Sequence, residues 1–264
     1  MAALRTANAL LTVTLAPRCA CCPAVLEAPL GGPVCPACWA AVRAVTPPAC
    51  RVCGQPLPSW RTISLEMERC AACRRRPPIF ERGAVVGLYD GPLRSILHAF
   101  KYDGRRSLAG PLGALLKTAG APTLEGADAV VPVPLHPWKR LRRGFNQASD
   151  LARQLDRPVV HALWRRSATR AQAGLTPGAR RRNVRAAFAP SPWLTRRARE
   201  RAIRGRMVVL VDDIMTTGAT LDACALQLLR LGAAEVRVLA VARAVRPSVA
   251  SNASNQTVAE SHTR

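Results

Sequence analysis

Two adjacent carboxylates, Asp212 and Asp213, lie between an apolar run and a turn of small hydroxyl residues. Residues 208–211 before them are all apolar and predict a buried strand. The turn and the start of the predicted helix after it consist of Thr216, Thr217, Gly218, Ala219 and Thr220. A strand, such a turn and a helix N-terminus together form an anion site, because backbone N–H groups and the helix dipole converge there.

The carboxylate pair gives this anion site a second capacity. Neighbouring carboxylates can hold the two hydroxyls of a vicinal diol through charge-assisted hydrogen bonds. A ribose that carries a 5′-phosphate meets both requirements. An Asp pair after a strand more often only caps a turn, but the complete run V-D-D-x-x-T-T-G-x-T is specific. The sequence therefore predicts a loop that binds phosphoribosyl pyrophosphate (PRPP).

Cysteine pairs of the form C-x-x-C dominate the N-terminal part of the chain, where nine of the ten cysteines lie between Cys19 and Cys73. A tetrahedral Zn²⁺ needs two such pairs, so four pairs predict two structural zinc sites. The predicted ligands are Cys19, Cys22, Cys35, Cys38, Cys50, Cys53, Cys70 and Cys73. Gaps of twelve residues after Cys22 and sixteen after Cys53 favour zinc sharing between neighbouring pairs, and a crossed arrangement is also compatible with them.

Zinc is favoured over an iron–sulfur cluster or a redox relay at these pairs. A closed site with four thiolates has no open position for a substrate, so we expect the metal to fold the segment rather than to catalyse. Cys21 and Cys224 have no partner in the pattern, and we expect both to be bystanders.

The charge of the chain is strongly positive, with 39 Lys and Arg against 16 Asp and Glu and a net charge of +23. Such a surface attracts anionic substrates and polyanions, including nucleic acid. Lysine occurs only at Lys101, Lys117 and Lys139, so a genomic bias toward arginine is an alternative explanation. That bias explains why the basic residues are mostly arginine and not lysine, but it does not explain the small number of acidic residues.

Alternating strand and helix patterns predict an α/β domain with a parallel sheet. The predicted strands are residues 84–89, 128–134, 207–211 and 235–242, and the predicted helices are residues 93–100, 144–155 and 219–231. A chain of 264 residues can bury one such core and carry a small satellite. We therefore divide it into residues 19–78, the cysteine-rich satellite, and residues 79–245, the α/β domain.

The two ends of the chain are predicted to lie outside these domains. Residues 1–18 predict a short amphipathic helix on the body, in preference to a secretory signal, because export would oxidise the cysteine-rich region. The apolar run at residues 9–16 is too short to span a bilayer. We expect no stable membrane insertion and a cytoplasmic location, which could include the inner face of the membrane. The polar residues 246–264 predict a disordered tail.

The chain resembles the type I phosphoribosyltransferase superfamily and, within it, the competence-protein F (ComF) family, in which a double zinc ribbon precedes that fold. Besides the cysteine pairs and the PRPP loop, the likeness rests on F-K-Y-D-G at residues 100–104, V-P-V-P at 131–134 and R-R-G-F-N-Q at 142–147. A further block begins at Thr169 and continues through Gln172, Arg182 and Asn183 to Phe188. The implied fold is a Rossmann-like parallel sheet with helices on both faces.

The resemblance also implies roles for residues outside the PRPP loop. Val133 and Pro134 would lie in the turn that binds pyrophosphate, and the Arg-rich residues from about 165 to 206 would form a mobile flap. Cleavage at C1 of PRPP leaves negative charge on pyrophosphate, which Mg²⁺ and fixed cations must stabilise. Candidates for those cations are Lys101, Arg142, Arg143 and Arg182.

Two functions are compatible with these features. The first is an enzyme that transfers phosphoribose from PRPP to an acceptor, in which Asp212, Asp213, Arg142 and Arg143 would be catalytic. The second is a non-catalytic factor of DNA uptake in natural competence, gated by PRPP, that binds single-stranded DNA or proteins of the competence machinery. A purely structural adaptor is disfavoured, because it would leave the complete loop unused.

Overall fold

A four-stranded parallel sheet forms the centre of the structure, a computed structural model that describes residues 2–57, 68–166 and 186–245. The strands of the described residues are β1 (Arg82–Leu88), β2 (Ala129–Pro132), β3 (Leu163–Arg165), β4 (Phe188–Pro190), β5 (Met207–Met215) and β6 (Glu235–Arg243). The central sheet has the order β1, β6, β5, β2, and β3 pairs with β4 as an antiparallel ribbon. The strand that precedes the predicted PRPP loop, β5, is therefore an interior strand.

Helices cover both faces of this sheet. The α-helices of the described residues are α1 (Ala2–Leu15), α2 (Pro36–Ala40), α3 (Ala71–Arg75), α4 (Gly91–Tyr102), α5 (Ala109–Leu124), α6 (Pro137–Arg143), α7 (Gln147–Ala152), α8 (Arg196–Ile203) and α9 (Ala219–Arg230). Val208 and Leu210 of β5 belong to the core cluster on the α9 side, and Val209 and Val211 belong to the cluster formed with α4, α5 and α7. Burial of one such apolar side chain contributes about 1.5–3 kcal/mol to folding, so helix packing on both faces stabilises the sheet. The predicted α/β fold is confirmed.

The cysteine-rich segment packs directly on the edge strand β1. The N–H of Val45 donates to the carbonyl of Val86, and the N–H of Leu88 donates to the carbonyl of Arg43, both at 2.9 Å. A Cβ atom at Gly87 would lie 2.7 Å from the carbonyl oxygen of Arg43, so this approach requires glycine. The segment thereby covers hydrogen-bonding groups that an open sheet edge would expose.

The two cysteine clusters extend different halves of the core. Cys19 and Cys35 belong to the core cluster on the α4 side, together with Leu93. Residues Cys50, Cys53, Cys70 and Cys73 belong to the cluster on the α9 side. The cysteine-rich segment is thus continuous with the hydrophobic core of the α/β domain.

Part of the predicted flap has regular structure. Within residues 186–206, β4 pairs with β3, and α8 follows after a short turn. The Arg199 guanidinium donates to the carbonyl of Leu194 at 2.8 Å and also to that of Ser191, and these bonds fix the turn. Residues 167–185, with Gln172, Arg182 and Asn183, lie outside the described residues, as do residues 246–264.

The residues predicted as an N-terminal helix form α1, which contacts the segment around the first cysteine cluster. Thr12 Oγ1 donates to the carbonyl of Leu26 at 2.9 Å, and the N–H of Leu30 donates to Asn8 Oδ1 at 3.0 Å. Val13 is 84% exposed, so the described part of the chain leaves apolar surface of α1 uncovered. Among the helices that the structure describes, none has the length and apolar character needed to cross a membrane.

Candidate functional site

The loop between β5 and α9 has the geometry of an anion site. Gly218 adopts a left-handed conformation with φ 76° and caps the N-terminus of α9. Ala219 and Thr220 form the first turn of that helix, and the N–H of Ala219 lies 3.4 Å from Thr217 Oγ1. Thr216 and Thr217 are exposed, so the turn is open to a ligand. The structure thus brings the hydroxyl and N–H groups predicted for phosphate binding to one helix N-terminus.

The carboxylate pair lies on the last part of β5, which runs past its predicted end because Asp212 pairs with Ala240 of β6. The N–H of Asp213 donates to Asp212 Oδ1 at 2.8 Å. Lys101 Nζ of α4 lies 2.9 Å from Asp213 Oδ2, and both side chains are only 13% exposed. The predicted ligands Lys101 and Asp213 therefore form an ion pair in the site.

The second carboxylate has a raised pKa. Burial raises the pKa of Asp212 to about 8, and the negative charge of Asp213 acts in the same direction. The hydrogen bond from the N–H of Asp213 and the charges of Lys101 and Arg165 oppose this rise. The raised pKa favours the protonated form of Asp212 in the free protein, and in that form the carboxyl group can donate a hydrogen bond as well as accept one.

Further cations surround the carboxylates. Arg165 of β3 interacts electrostatically with Asp212. Burial lowers the pKa of Lys139 on α6, and the nearby charges of Arg165, Arg143 and Lys101 lower it further. These four cations form a positive wall in which Lys139 interacts with the other three, and Lys101 and Arg165 also interact with Asp212, an arrangement suited to a polyphosphate.

Of the two arginines predicted to be catalytic, one, Arg143, is part of this wall. The Arg143 guanidinium carbon is 4.8 Å from the centre of the Tyr102 ring, next to Lys101, and Arg143 donates to Gln147 Oε1 at 3.1 Å. Arg142 is exposed and makes no ion pair or side-chain hydrogen bond within the described residues. Of the two arginines, only Arg143 is therefore held beside Lys101 by side-chain contacts within the described residues.

The turn after β2 is tied to β5 and to α7. The N–H of Val133 donates to the carbonyl of Val211 at 2.9 Å. Asn146 caps α7 by accepting from the N–H of Ala148 and donates its side-chain amide to the carbonyl of Val133 at 3.1 Å. Val133 and Pro134 therefore follow β2 at the same sheet edge as the loop after β5, where ligands of open α/β sheets bind.

The cysteines form two clusters of four, in the sequential arrangement. Cys19, Cys22, Cys35 and Cys38 form the first cluster, and Cys50, Cys53, Cys70 and Cys73 form the second, with all sulfurs of a cluster within 4.8 Å of one another. The Sγ atoms of Cys22 and Cys35 are 3.8 Å apart, and those of Cys53 and Cys70 are 3.7 Å apart. A tetrahedral Zn²⁺ with Zn–S bonds of ~2.3 Å separates its sulfurs by ~3.8 Å. Both clusters therefore fit structural zinc.

The remaining cysteines have the properties of inert thiols. Burial raises the pKa of Cys21. Burial also raises the pKa of Cys224 well above its usual value, and its side chain is fully enclosed in the core. Neither thiol ionises readily at neutral pH, so neither has the thiolate character that reactivity requires.

Arg243, at the end of β6, connects the second cysteine cluster to the predicted PRPP loop. Its guanidinium donates to the carbonyl of Thr216 at 2.7 Å and to Gln55 Oε1 at 3.4 Å. Gln55 lies in the segment that follows Cys53. The position of the loop therefore depends on the cysteine-rich segment as well as on β5.

Replacing Arg243 with Ala is expected to weaken PRPP binding about fivefold, because an exposed charged hydrogen bond to the loop is worth about 1 kcal/mol. Calorimetric titration of PRPP into the two proteins measures the effect. Gln55→Ala, which removes only the longer of the two hydrogen bonds, provides the matched control and should change the affinity less than twofold. Equal losses for both variants would contradict a specific role for the Thr216 contact.

Asp212→Asn is expected to stabilise the free protein at high pH. The pKa of Asp212 is about 8 in the folded protein and 3.8 in the unfolded chain, so the folded state binds this proton more tightly. The folded protein therefore loses stability as the pH rises above 3.8, and the loss is complete above about pH 8. The melting temperature of the variant should exceed that of the parent at pH 8.5, and the difference should vanish near pH 4. A difference of constant size across this range would exclude ionisation of Asp212 as its cause.

Comparisons with known proteins agree with this geometry. The family models for the phosphoribosyl transferase domain and the double zinc ribbon domain match residues 140–259 and 10–74. The DNA utilization protein YhgH of Escherichia coli K12 is 35% identical over 188 residues, which cover 66% of this chain and 77% of that protein. Competence protein F of Haemophilus influenzae is 31% identical over 75% of this chain and 85% of that protein. The chain belongs to the ComF family. Competence protein ComFC of Bacillus subtilis is 26% identical over 76% of this ComF-family chain and 80% of that protein.

Three cations near the candidate site of this ComF-family chain could not be predicted from the sequence. Arg165 and Lys139 were not singled out, because each lies in an arginine-rich stretch where no single cation stands out. Arg243 follows the last apolar residue of a strand and gives no signal by itself. The pairing of β5 with β6 brings Arg243 to the loop, and the packing of β3 and α6 brings Arg165 and Lys139 near it, so only the tertiary structure identifies these residues.

Proposed function

We propose that this chain binds PRPP at the loop between β5 and α9. The observation that supports the proposal best is the carboxylate pair at the end of an interior strand, directly before a helix N-terminus capped by Gly218. Asp212 and Asp213 would hold the 2′- and 3′-hydroxyls of the ribose, and the turn with Thr216 and Thr217 would hold its 5′-phosphate.

The proposed reaction is transfer of phosphoribose to an acceptor. The bond between C1 and the pyrophosphate oxygen breaks, pyrophosphate leaves with the bonding electrons, and a nucleophile of the acceptor forms the new bond to C1. Lys101, Lys139 and Arg143 would stabilise the leaving negative charge. Mg²⁺ would enter as the counter-ion of PRPP and share in that stabilisation. The Lys101–Asp213 ion pair would open as the ligand enters, freeing the ammonium for phosphate oxygens.

A second candidate is a PRPP-gated binding factor without turnover. Two relatives are named as competence proteins and another as a DNA utilization protein, and the net charge of +23 suits a polyanionic partner. In this case PRPP would act as a signal that alters affinity for single-stranded DNA or for a protein of the uptake machinery. A cytoplasmic location, including the inner face of the membrane, remains a prediction.

Pyrophosphate release distinguishes the two candidates. Purified zinc-loaded protein would be incubated with PRPP, Mg²⁺ and candidate acceptors, including bases, nucleotides and single-stranded DNA, while pyrophosphate is measured with a coupled assay. Release above the rate of an Asp212→Ala/Asp213→Ala variant supports transfer. Binding of PRPP in calorimetry without release for every acceptor supports the binding factor. Absence of PRPP binding would reject both.

A further inference from the structure

A second cavity lies on the far side of the turn after β2. Its volume is about 350 Å³, and its walls come from α6, α7, β3 and the segment after β4. The volume lies within the ~300–1,000 Å³ range of small-molecule sites in proteins. Over the described residues, its lining contains none of the positions 212–220 that form the candidate PRPP loop. The cavity is therefore distinct from that loop, and it adjoins the first site at the turn after β2 through Pro132, Pro134 and Asn146.

One side of this cavity is an aromatic surface. The rings of Trp164 and Trp193 meet edge to face with centroids 4.4 Å apart. Trp193 is 67% exposed, although the turn that carries it is fixed by the hydrogen bonds of Arg199 to Ser191 and Leu194. A large apolar ring held open to solvent on a fixed turn is a surface on which a planar ligand can stack.

The other side of the cavity is cationic. Arg106 and Arg153 both contact Asp150, at 2.8 Å and 2.6 Å, and the Asp150 side chain is only 7% exposed. Arg140 also lines the cavity and makes no ion pair within the described part of the chain. Three guanidinium groups and one carboxylate thus line the cavity, which leaves net positive charge. Partial burial, followed by the charges of Arg153 and Arg140, lowers the pKa of His161 in the same wall.

Strand β3 contributes residues to both sites. Leu163 and Trp164 line the second cavity, and the next residue, Arg165, interacts with Asp212 of the candidate PRPP site. The antiparallel partner of β3 is β4, in which Ala189 lies opposite Trp164. Ligands at the two sites can therefore contact different residues of the ribbon formed by β3 and β4.

We propose that this cavity binds a nucleoside phosphate, with the base stacked on Trp193 and the phosphate held by Arg140 and Arg153. An aromatic surface recognises the face of any base, and a guanidinium matches phosphate oxygens in a bidentate manner. The ligand is a free nucleotide or one unit of a single strand of DNA, which share this chemistry. The cavity does not depend on PRPP binding, so either proposal can fail without the other.

Binding can be measured on the full-length, zinc-loaded protein with three probes: thymidine 5′-monophosphate, an oligothymidylate of about ten nucleotides, and deoxyribose 5-phosphate, which lacks the base. Trp193→Ala and Arg140→Ala are each expected to weaken binding of the ligand about tenfold, since stacking and charge contribute comparably. Trp193→Phe should restore most of the affinity. PRPP affinity should stay unchanged in Trp193→Ala, and thymidylate affinity should survive Asp212→Ala/Asp213→Ala.

Matched surface variants distinguish a specific binding site from nonspecific attraction to exposed aromatic or basic residues. Trp138 is 74% exposed and Arg230 is exposed at the end of α9, and neither lines the cavity. Trp138→Ala and Arg230→Ala should each change the affinity less than twofold. Equal losses in all four Ala variants, or equal binding of deoxyribose 5-phosphate and thymidine 5′-monophosphate, would overturn the proposal. Tight, Trp193-dependent binding of the oligomer alone identifies a strand as the ligand, and comparable binding of the monomer identifies a free nucleotide.

Discussion

Asp212→Ala/Asp213→Ala is expected to weaken PRPP binding about 100-fold or more. Asp213 would make a charged hydrogen bond to a ribose hydroxyl, worth about 1.5–3 kcal/mol, and Asp212, whose pKa is raised, would add about 0.5–1.5 kcal/mol even when it is protonated. The variant also frees Lys101 from its 2.9 Å ion pair, so phosphate attraction alone remains. Titration calorimetry with PRPP and Mg²⁺ measures the loss. Removing two acids makes the protein more positive, so a purely electrostatic site would bind PRPP more tightly instead.

The opposite signs of these two outcomes make the experiment decisive. Asp156→Asn provides the control, because Asp156 has a 77% exposed side chain and its ion pair with Lys117 lies on the surface. The control should leave PRPP affinity within a factor of two. Thermal melting of the double variant should still show a cooperative transition at pH 8, because removing the buried Asp212 carboxyl offsets part of the cost of leaving Lys101 without its ion pair. Unchanged PRPP affinity in a folded double variant would reject the site.

The features that the sequence could predict share one property, which is that they are local. The loop Asp212–Thr220 combines a strand end, a turn and a helix start within one short run, so its chemistry does not depend on distant pairing. The cysteine pairs are equally local, and only the choice between sequential and crossed zinc sharing needed the structure. Both predictions rest on spacing that the backbone converts directly into geometry.

The features that the sequence could not predict depend on packing between distant residues. Helix α5 contains glycines and Pro122, which act as helix breakers in a sequence pattern. The structure explains one of these glycines, because a Cβ at Gly120 would lie 2.6 Å from Leu239 Cδ2 of β6. Strand β3 has only three residues and no usable alternation, yet it positions both Arg165 and Trp164. Tertiary contacts therefore override the local signal at these positions.

Loss of the second zinc cluster is expected to destabilise the whole protein, whereas loss of the first should have a smaller effect. All four cysteines of the second cluster are buried, and they share a core cluster with Leu210 of β5. In the first cluster, Cys22 and Cys38 are only half-buried. Because zinc binding free energy is folding free energy, Cys50→Ser should cost about 4 kcal/mol or more, and lower the melting temperature by ~10 °C.

Cys38→Ser is the matched variant, since it removes one thiolate from the half-buried side of the other cluster. Each variant should lose one zinc ion by elemental analysis, so the two differ only in where the metal is lost. Cys50→Ser should also weaken PRPP binding, because the second cysteine cluster packs in one core cluster with Met215 and Leu221, which flank the loop. Cys38→Ser should leave PRPP affinity nearly unchanged. Equal falls in melting temperature and in affinity would show that the two clusters support the fold alike. The asymmetry would instead show that one zinc site positions the loop and the other only closes its own segment.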